Sequence, residues 1–326
     1  MQQETIITNI TDNDIISGTL TIPNGITMFA EESIRKIPDK KALIKLVFPD
    51  SATVITPDSL KGFERYKHLR SIEVGEHNKN YASLDGVLFN KSKTKLIKFP
   101  PDKEASSYII PDPIKIIGEA AFANCKKLIS ITIPESVTKI EESAFHNCTA
   151  LKDLRLPDSI TDIGFHSFSH CVSLTKIKIP SSVRYIDGEV FMASDNVSFI
   201  EVDAANEYYT SVNGVLFNKE QSMLIRFPSN RNERSYCIPN GVFVIGQSAF
   251  DDCKLTEVII PNSVTEIGVR AFYWCPKLSS IMIPDSVTKF GAEAFAYHEK
   301  LAIQCHKDSV AEKYAKENNI RYKLIN

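Results

Sequence analysis

The chain has 326 residues, 43% hydrophobic and 24% charged, with a formal net charge of −2. That apolar content excludes a disordered chain, and the balanced charge shows no basic excess of the kind that marks a nucleic-acid binder. No apolar run exceeds five residues, so nothing reads as a membrane-spanning helix.

The opening stretch, "MQQETIITNITDNDIISG", has no basic segment followed by an apolar core. It therefore does not read as a secretory signal. Two expectations follow: a cytoplasmic chain, or a mature form carrying a new Met1. Residues 1–22 are expected to cap whatever follows. Pro23 and Pro49 then stand 26 residues apart in a degenerate pattern, and Ile72 and Val74 open the next apolar strand.

From there the chain repeats. Pro111, Pro134, Pro157 and Pro180 are 23 residues apart, as are Pro261 and Pro284. The template is LxxIxIPxSVTxIGxxAFxxC. A longer period lies over it: Asn78, Tyr81, Gly86 and Pro100 match Asn206, Tyr209, Gly214 and Pro228, always 128 residues on. A block of about five coils has been duplicated.

In "ISITIP", Ile131 and Ile133 alternate with Ser130 and Thr132, which predicts a short strand with one buried face. Pro134 ends it, because it lacks an N–H. "SVTKI" predicts a second short strand with Val137 and Ile140 inward. "EESAFHNC" is too short for a stable helix; it predicts one helical or 3₁₀ turn burying Ala144, Phe145 and Cys148. One coil cannot enclose these side chains, whereas stacked coils can, each position meeting its own copy. The prediction is a mainly parallel β solenoid of about twelve coils. "GVLF" and "KLIKF", flanking the polar "NKSKT", predict a β-hairpin inserted in an enlarged coil, and "GVLFNKEQSMLIRF" predicts a second. At the end, Asp308 and Ser309 precede good helix formers, predicting a capping helix, with "IRYKLI" as a last strand. The expected organisation is an N-terminal cap over 1–22, a solenoid over 23–305 with hairpin modules near 78–110 and 206–238, and a C-terminal cap over 306–326.

These units, the two GVLFN modules and the ending "SVAEKYAKENNIRYKLI" resemble the leucine-rich repeats of the BspA-like type. The resemblance implies a leucine-rich repeat solenoid in a cell-surface or secreted protein. It implies adhesion to other proteins or cells, host or matrix proteins among them, without enzymatic activity or a cofactor. It carries over no ligand residues, and the oligomeric state stays open.

Cys125, Cys148 and Cys171 share one template slot, as do Cys253 and Cys275; Ser194 and His298 fill it elsewhere. The slot reads as a core ladder of free thiols, since side chains stacked in parallel suit disulfide geometry poorly. His146, His166 and His170 form the one cluster with potential chemistry. It supports an alternative metal-binding or enzymatic reading but lacks an evident further ligand and an orienting carboxylate. A purely structural, self-assembling rod is a third reading. The sequons at Asn9, Asn147 and Asn196 are near chance frequency. For partner contact the candidates lie along the exposed strand row. Arg155 and Lys178 are polar there, whereas Ile259 and Met282 are apolar. Tyr273, Trp274 and Tyr297 are further candidates on the turn side, where earlier coils carry His146, Asn147 and His170. Such side chains are favoured in interface cores; the alternative is that the capping helix covers some of them.

Overall fold

The computed structural model describes residues 14–29, 43–55, 67–187 and 189–326. It is a mainly parallel β solenoid of about twelve turns, with one α-helix among the described residues. The chain divides into two compact units, Met1–Cys171 and Val172–Asn326. Of the expected N-terminal cap, residues 1–13 lie outside the described residues; Ile15–Ile16 pairs antiparallel with Thr19–Thr21, which begins the parallel stack on Lys45–Phe48.

Each regular coil contributes two rungs. In the first unit, Ser107–Ile109, Ser130–Thr132 and Asp153–Arg155 pair in parallel as one ladder. Ile116–Ile117, Lys139–Ile140 and Asp162–Ile163 form a second. Ser130 faces Asp153 and Ile140 faces Ile163, so the register is the 23-residue period itself. The second unit repeats this from Ser235–Cys237 through Glu257–Ile259 and Ser280–Met282 to Ala302–Cys305.

The AFxxC segment forms the expected short turns in a particular way. Ala121, Ala123 and Cys125 donate within their coil to Gly118, Ala120 and Phe122, while Ala120, Phe122 and Asn124 donate to Glu142, Ala144 and His146 of the next coil. Successive N–H groups thus alternate between closing a turn and pairing coils. Ala120 and Asn124 take φ of +50° and +65°. Inside, phenylalanines stack like coins: Phe122 on Phe145 at 5.2 Å and Phe272 on Phe295 at 5.0 Å.

The enlarged coils are three-stranded meanders, one strand more than the sequence suggests. Tyr81–Leu84 pairs antiparallel with Val87–Asn90, which pairs with Lys95–Lys98; that last strand is also a rung of the second ladder, on Ile116–Ile117. The meander displaces rungs, and side chains take over their hydrogen bonds. Asn78 Nδ2 donates to the Pro49 and Ala52 carbonyls, and its Oδ1 accepts from Asn80 and Tyr81 N–H, all within 2.8–2.9 Å. Asn206 repeats this with Pro180, Val183, Tyr208 and Tyr209. The Tyr81 hydroxyl accepts from Ile55 N at 2.9 Å, and the Tyr209 hydroxyl from Ile186 N at 2.9 Å. Gly86 turns the first two strands at φ +74°, and a Cβ there would lie 2.6 Å from Ser71 Oγ, which is why glycine recurs at Gly214.

Two buried cations escaped the sequence reading. Lys98 Nζ donates to Ala120 O at 2.6 Å. Arg226, 128 residues on, donates to Ser248 O at 2.7 Å and Asp251 O at 3.3 Å. The signal was present as a basic residue at one position of both "LIxFP" strands. Each cation adds a second donor to a carbonyl of a left-handed turn: Ala120 O also accepts from Ala123 N, and Ser248 O from Asp251 N.

At the C-terminus, helix Val310–Glu317 is capped by Ser309, whose Oγ accepts from Glu312 N, while Glu312 Oε2 accepts from Asp308 N at 2.6 Å. This is a capping-box sequence. Tyr314 stacks on Phe290 at 4.3 Å and meets Phe295, the last ring of the phenylalanine column, at 6.2 Å, and Arg321–Leu324 adds the last rung.

Candidate interaction surface

Each turn segment ends on a residue with positive φ. Asn124, Asn147 and His170 hold this slot in the first unit; Ala193, Asp252, Trp274 and Tyr297 hold it in the second. Asn and Asp tolerate the left-handed region, whereas a bulky side chain there is an outlier. Trp274 (φ +47°) and Tyr297 (φ +61°) adopt it nonetheless, at a cost of roughly 1–3 kcal/mol each. Burial does not repay that strain, because Trp274 is 56% and Tyr297 70% exposed. Tyr273 packs against Tyr297 at 4.9 Å, with the Arg270 guanidinium 5.3 Å from the Tyr273 ring centre and held by Glu293 at 2.7 Å. A groove of about 600 Å³ runs alongside, lined by Trp274, Tyr297, Pro276, Leu278 and the polar His298, Glu299 and Lys300. The capping helix packs on Phe290 and Phe295 and leaves this ridge open.

On the strand face, Ile259 and Met282 are directly paired neighbours, 44% and 48% exposed, and the exposed Cys237 is the rung before them. Lys178 pairs in register with Glu201, and its Nζ lies 3.2 Å from Asp203 and 3.7 Å from Glu201. Arg155 is exposed at the end of the Asp153–Arg155 strand in the first unit.

The histidine cluster turns out to be a packed one. Ser169 Oγ donates to His166 O at 2.9 Å, so it accepts the 2.7 Å bond from His146 Nδ1–H. The His146 and His170 rings meet edge-on at 5.2 Å, where the matching Tyr273 and Tyr297 of the second unit pack in a tilted arrangement. Burial, then the neighbouring His170 and His166, push the His146 pKa down to about 4. Among the described residues no group of three or more His, Cys, Asp or Glu side chains is placed to hold a metal ion, so the metal-binding alternative finds no donor set there.

The BspA type leucine-rich repeat region model matches in six copies, over residues 101–223 and 226–314. The chain belongs to the BspA-type leucine-rich repeat family. Three solved structures share the fold. A leucine-rich repeat protein from Eubacterium ventriosum is 23% identical (TM-score 0.51, over 86% of this chain). A leucine-rich cell surface protein from Faecalibacterium prausnitzii is 22% identical (TM-score 0.53, over 95% of this chain and 88% of that one). The pneumococcal vaccine antigen PcpA is 20% identical (TM-score 0.51, over 93% and 75%). The chain spans 64% of the Eubacterium ventriosum structure. No curated protein matches. As a BspA-type chain it is a repeat scaffold: its inward positions recur from coil to coil, and what distinguishes one stretch from another is the side chains set on the outside.

Proposed function

We propose that this BspA-type chain is a non-enzymatic protein-binding scaffold, secreted or displayed at a cell surface, that adheres to a host or matrix protein through the Tyr273–Trp274–Tyr297 ridge. One observation carries the reading: two large aromatics occupy a left-handed backbone slot, and both stay in solvent. Strain without local return suits a site whose stabilisation comes from a partner, and aromatic side chains dominate interface hot spots. Ile259 and Met282 extend the apolar surface of this unit on its strand face; the charges of Lys178 and, separately in the first unit, of Arg155 are proposed to affect association rate more than affinity.

Trp274 is the sole tryptophan, so its fluorescence reports directly. A panel of purified matrix proteins, titrated into the full chain, is expected to contain one that shifts that emission. Trp274→Ala with Tyr297→Ala should weaken that binding roughly 10- to 100-fold, a hot-spot loss, without lowering the melting temperature. Ile259→Ser with Met282→Ser tests the strand face separately. Full binding by both double variants would move the contact to the polar coils or the meanders. The absence of any bound matrix protein or host cell would favour the structural-rod reading.

A further inference from the structure

The duplicated meander supplies an internal control. Beside the first copy the surface is sealed by charge: Lys95 Nζ lies 2.6 Å from Glu141 Oε2, and the same carboxylate oxygen accepts from Glu119 N at 2.9 Å. In the second copy the matching residues are Met223, Gly268 and Gln247. Two further polar positions, Asn80 and Glu142, become Tyr208 and Val269. The ion pair is gone, and a cavity of about 530 Å³ opens between the meander and the second ladder, wholly within the second unit. Tyr208, Met223 and Val269 are 44%, 36% and 39% exposed around it.

The frame of this corner is rigid. The Tyr209 hydroxyl accepts from Ile186 N and donates to Arg184 O, and Asn218 Oδ1 accepts from Met223 N at 2.8 Å. Its charge is one-sided. Glu266, the one acid on the lining, is neutralised by Lys289 at 2.9 Å. Arg184 is also on the lining, and its guanidinium has no hydrogen-bond or ion-pair partner among the described residues. A partly open, mainly apolar hollow within the roughly 300–1,000 Å³ range of ligand sites, with one unpaired cation among its lining residues, has the elements of a small-molecule site.

We propose that this corner binds a small carboxylic acid with an aromatic body, its carboxylate on Arg184 and its body against Tyr208, Met223 and Val269. A planar guanidinium suits a carboxylate in two-point contact, and the apolar lining offers the body surfaces that the first copy lacks. The site is independent of the Tyr273–Trp274–Tyr297 ridge and of any protein partner.

The test is calorimetric titration of the full chain with 4-phenylbutyrate and indole-3-propionate, with 4-phenylbutanol as the uncharged control. Saturable one-to-one binding of the acids is expected, with the alcohol at least about tenfold weaker, the scale of one charge-assisted hydrogen bond. Arg184→Gln should weaken the acids by a similar factor and leave the alcohol unchanged. Val269→Glu should abolish acid binding by restoring a negative charge. Both substitutions are at exposed positions, and unaltered circular dichroism and melting will confirm that the fold is retained. Acids that give no saturable heat up to about 5 mM, or that bind Arg184→Gln as well as the parent, overturn the proposal. So does a peptide that binds through its C-terminal carboxylate where the free acids do not.

Discussion

A cysteine closes five of the coils because the slot requires more than small size. Cys148 Sγ donates to Phe122 O at 3.0 Å, Cys171 to Phe145 O at 3.2 Å and Cys275 to Phe250 O at 3.1 Å. His298, in the same slot, offers Nε2–H to Phe272 O at 2.6 Å. The slot selects a side-chain donor for a phenylalanine carbonyl of the preceding coil. Burial pushes the Cys125 and Cys171 thiols up to about 12, so they stay protonated and unreactive. A maleimide is expected to label Cys237 alone in the native protein, and the other six cysteines only after denaturation; an intact mass showing two or three disulfides would contradict this. His146 titrates in the opposite sense. Its folded pKa of about 4 lies below the ordinary value of 6.5, so between those values the unfolded chain binds a proton that the folded chain refuses. Stability should therefore fall as pH drops from 6.5 to 4, by about 1–2 kcal/mol once its partial exposure is allowed for. His146→Gln should flatten that slope in melts across the window, and an unchanged slope would count against this account.

The inserted meander is the element where packing and hydrogen bonding are most closely joined. Asn206 uses all four of its hydrogen-bonding positions, two as donor and two as acceptor. Asn206→Asp keeps the shape but turns a carboxylate oxygen toward the Pro180 and Val183 carbonyls. The expected loss is about 3–5 kcal/mol at pH 7, the scale of a buried unpaired charge, read by urea unfolding; a loss under 1 kcal/mol would mean the amide is not structural. The regular rungs behave differently. Ile163 is 1% exposed between coils, so Ile163→Asp should cost more than about 4 kcal/mol. The exposed Lys152→Ala should cost less than about 0.5 kcal/mol. Equal melting temperatures for this pair would show the faces to be reversed.

At the scale of the molecule, register is periodic, because each ladder joins residues one repeat apart. Removing residues 126–148 takes out one 23-residue period and leaves every remaining residue in its own slot. The shortened chain is expected to fold, with a melting temperature only a few degrees lower, as nearest-neighbour stacking implies. Removing 126–143 instead shifts every inward side chain out of its column, and should give insoluble protein. Similar circular dichroism and solubility for the two deletions would refute the slot argument.

The repeat, both ladders, the phenylalanine column, the buried cysteines and the capping helix could all be read from the chain. All but the helix, which follows from its N-cap residues and the helix formers after them, depend on a local alternation copied at fixed spacing, and copying turns a weak periodic signal into a strong one. The tertiary structure decided what spacing does not encode. The third meander strand was invisible because "YASL" and "YTSV" lack a clear apolar alternation; they are held by pairing with the strand that follows. Lys98 and Arg226 look like surface cations until the carbonyls of the left-handed turns are seen converging on them. The aromatic ridge was legible as Tyr273, Trp274 and Tyr297, but not the strained backbone beneath two of them, since φ follows from how neighbouring coils share their N–H groups. The cavity beside the second meander could not be foreseen from either copy alone. It lies where the first copy has Lys95 paired with Glu141 across 46 residues of chain and Met223 has no such counterpart, a pairing that only the stacked coils bring about.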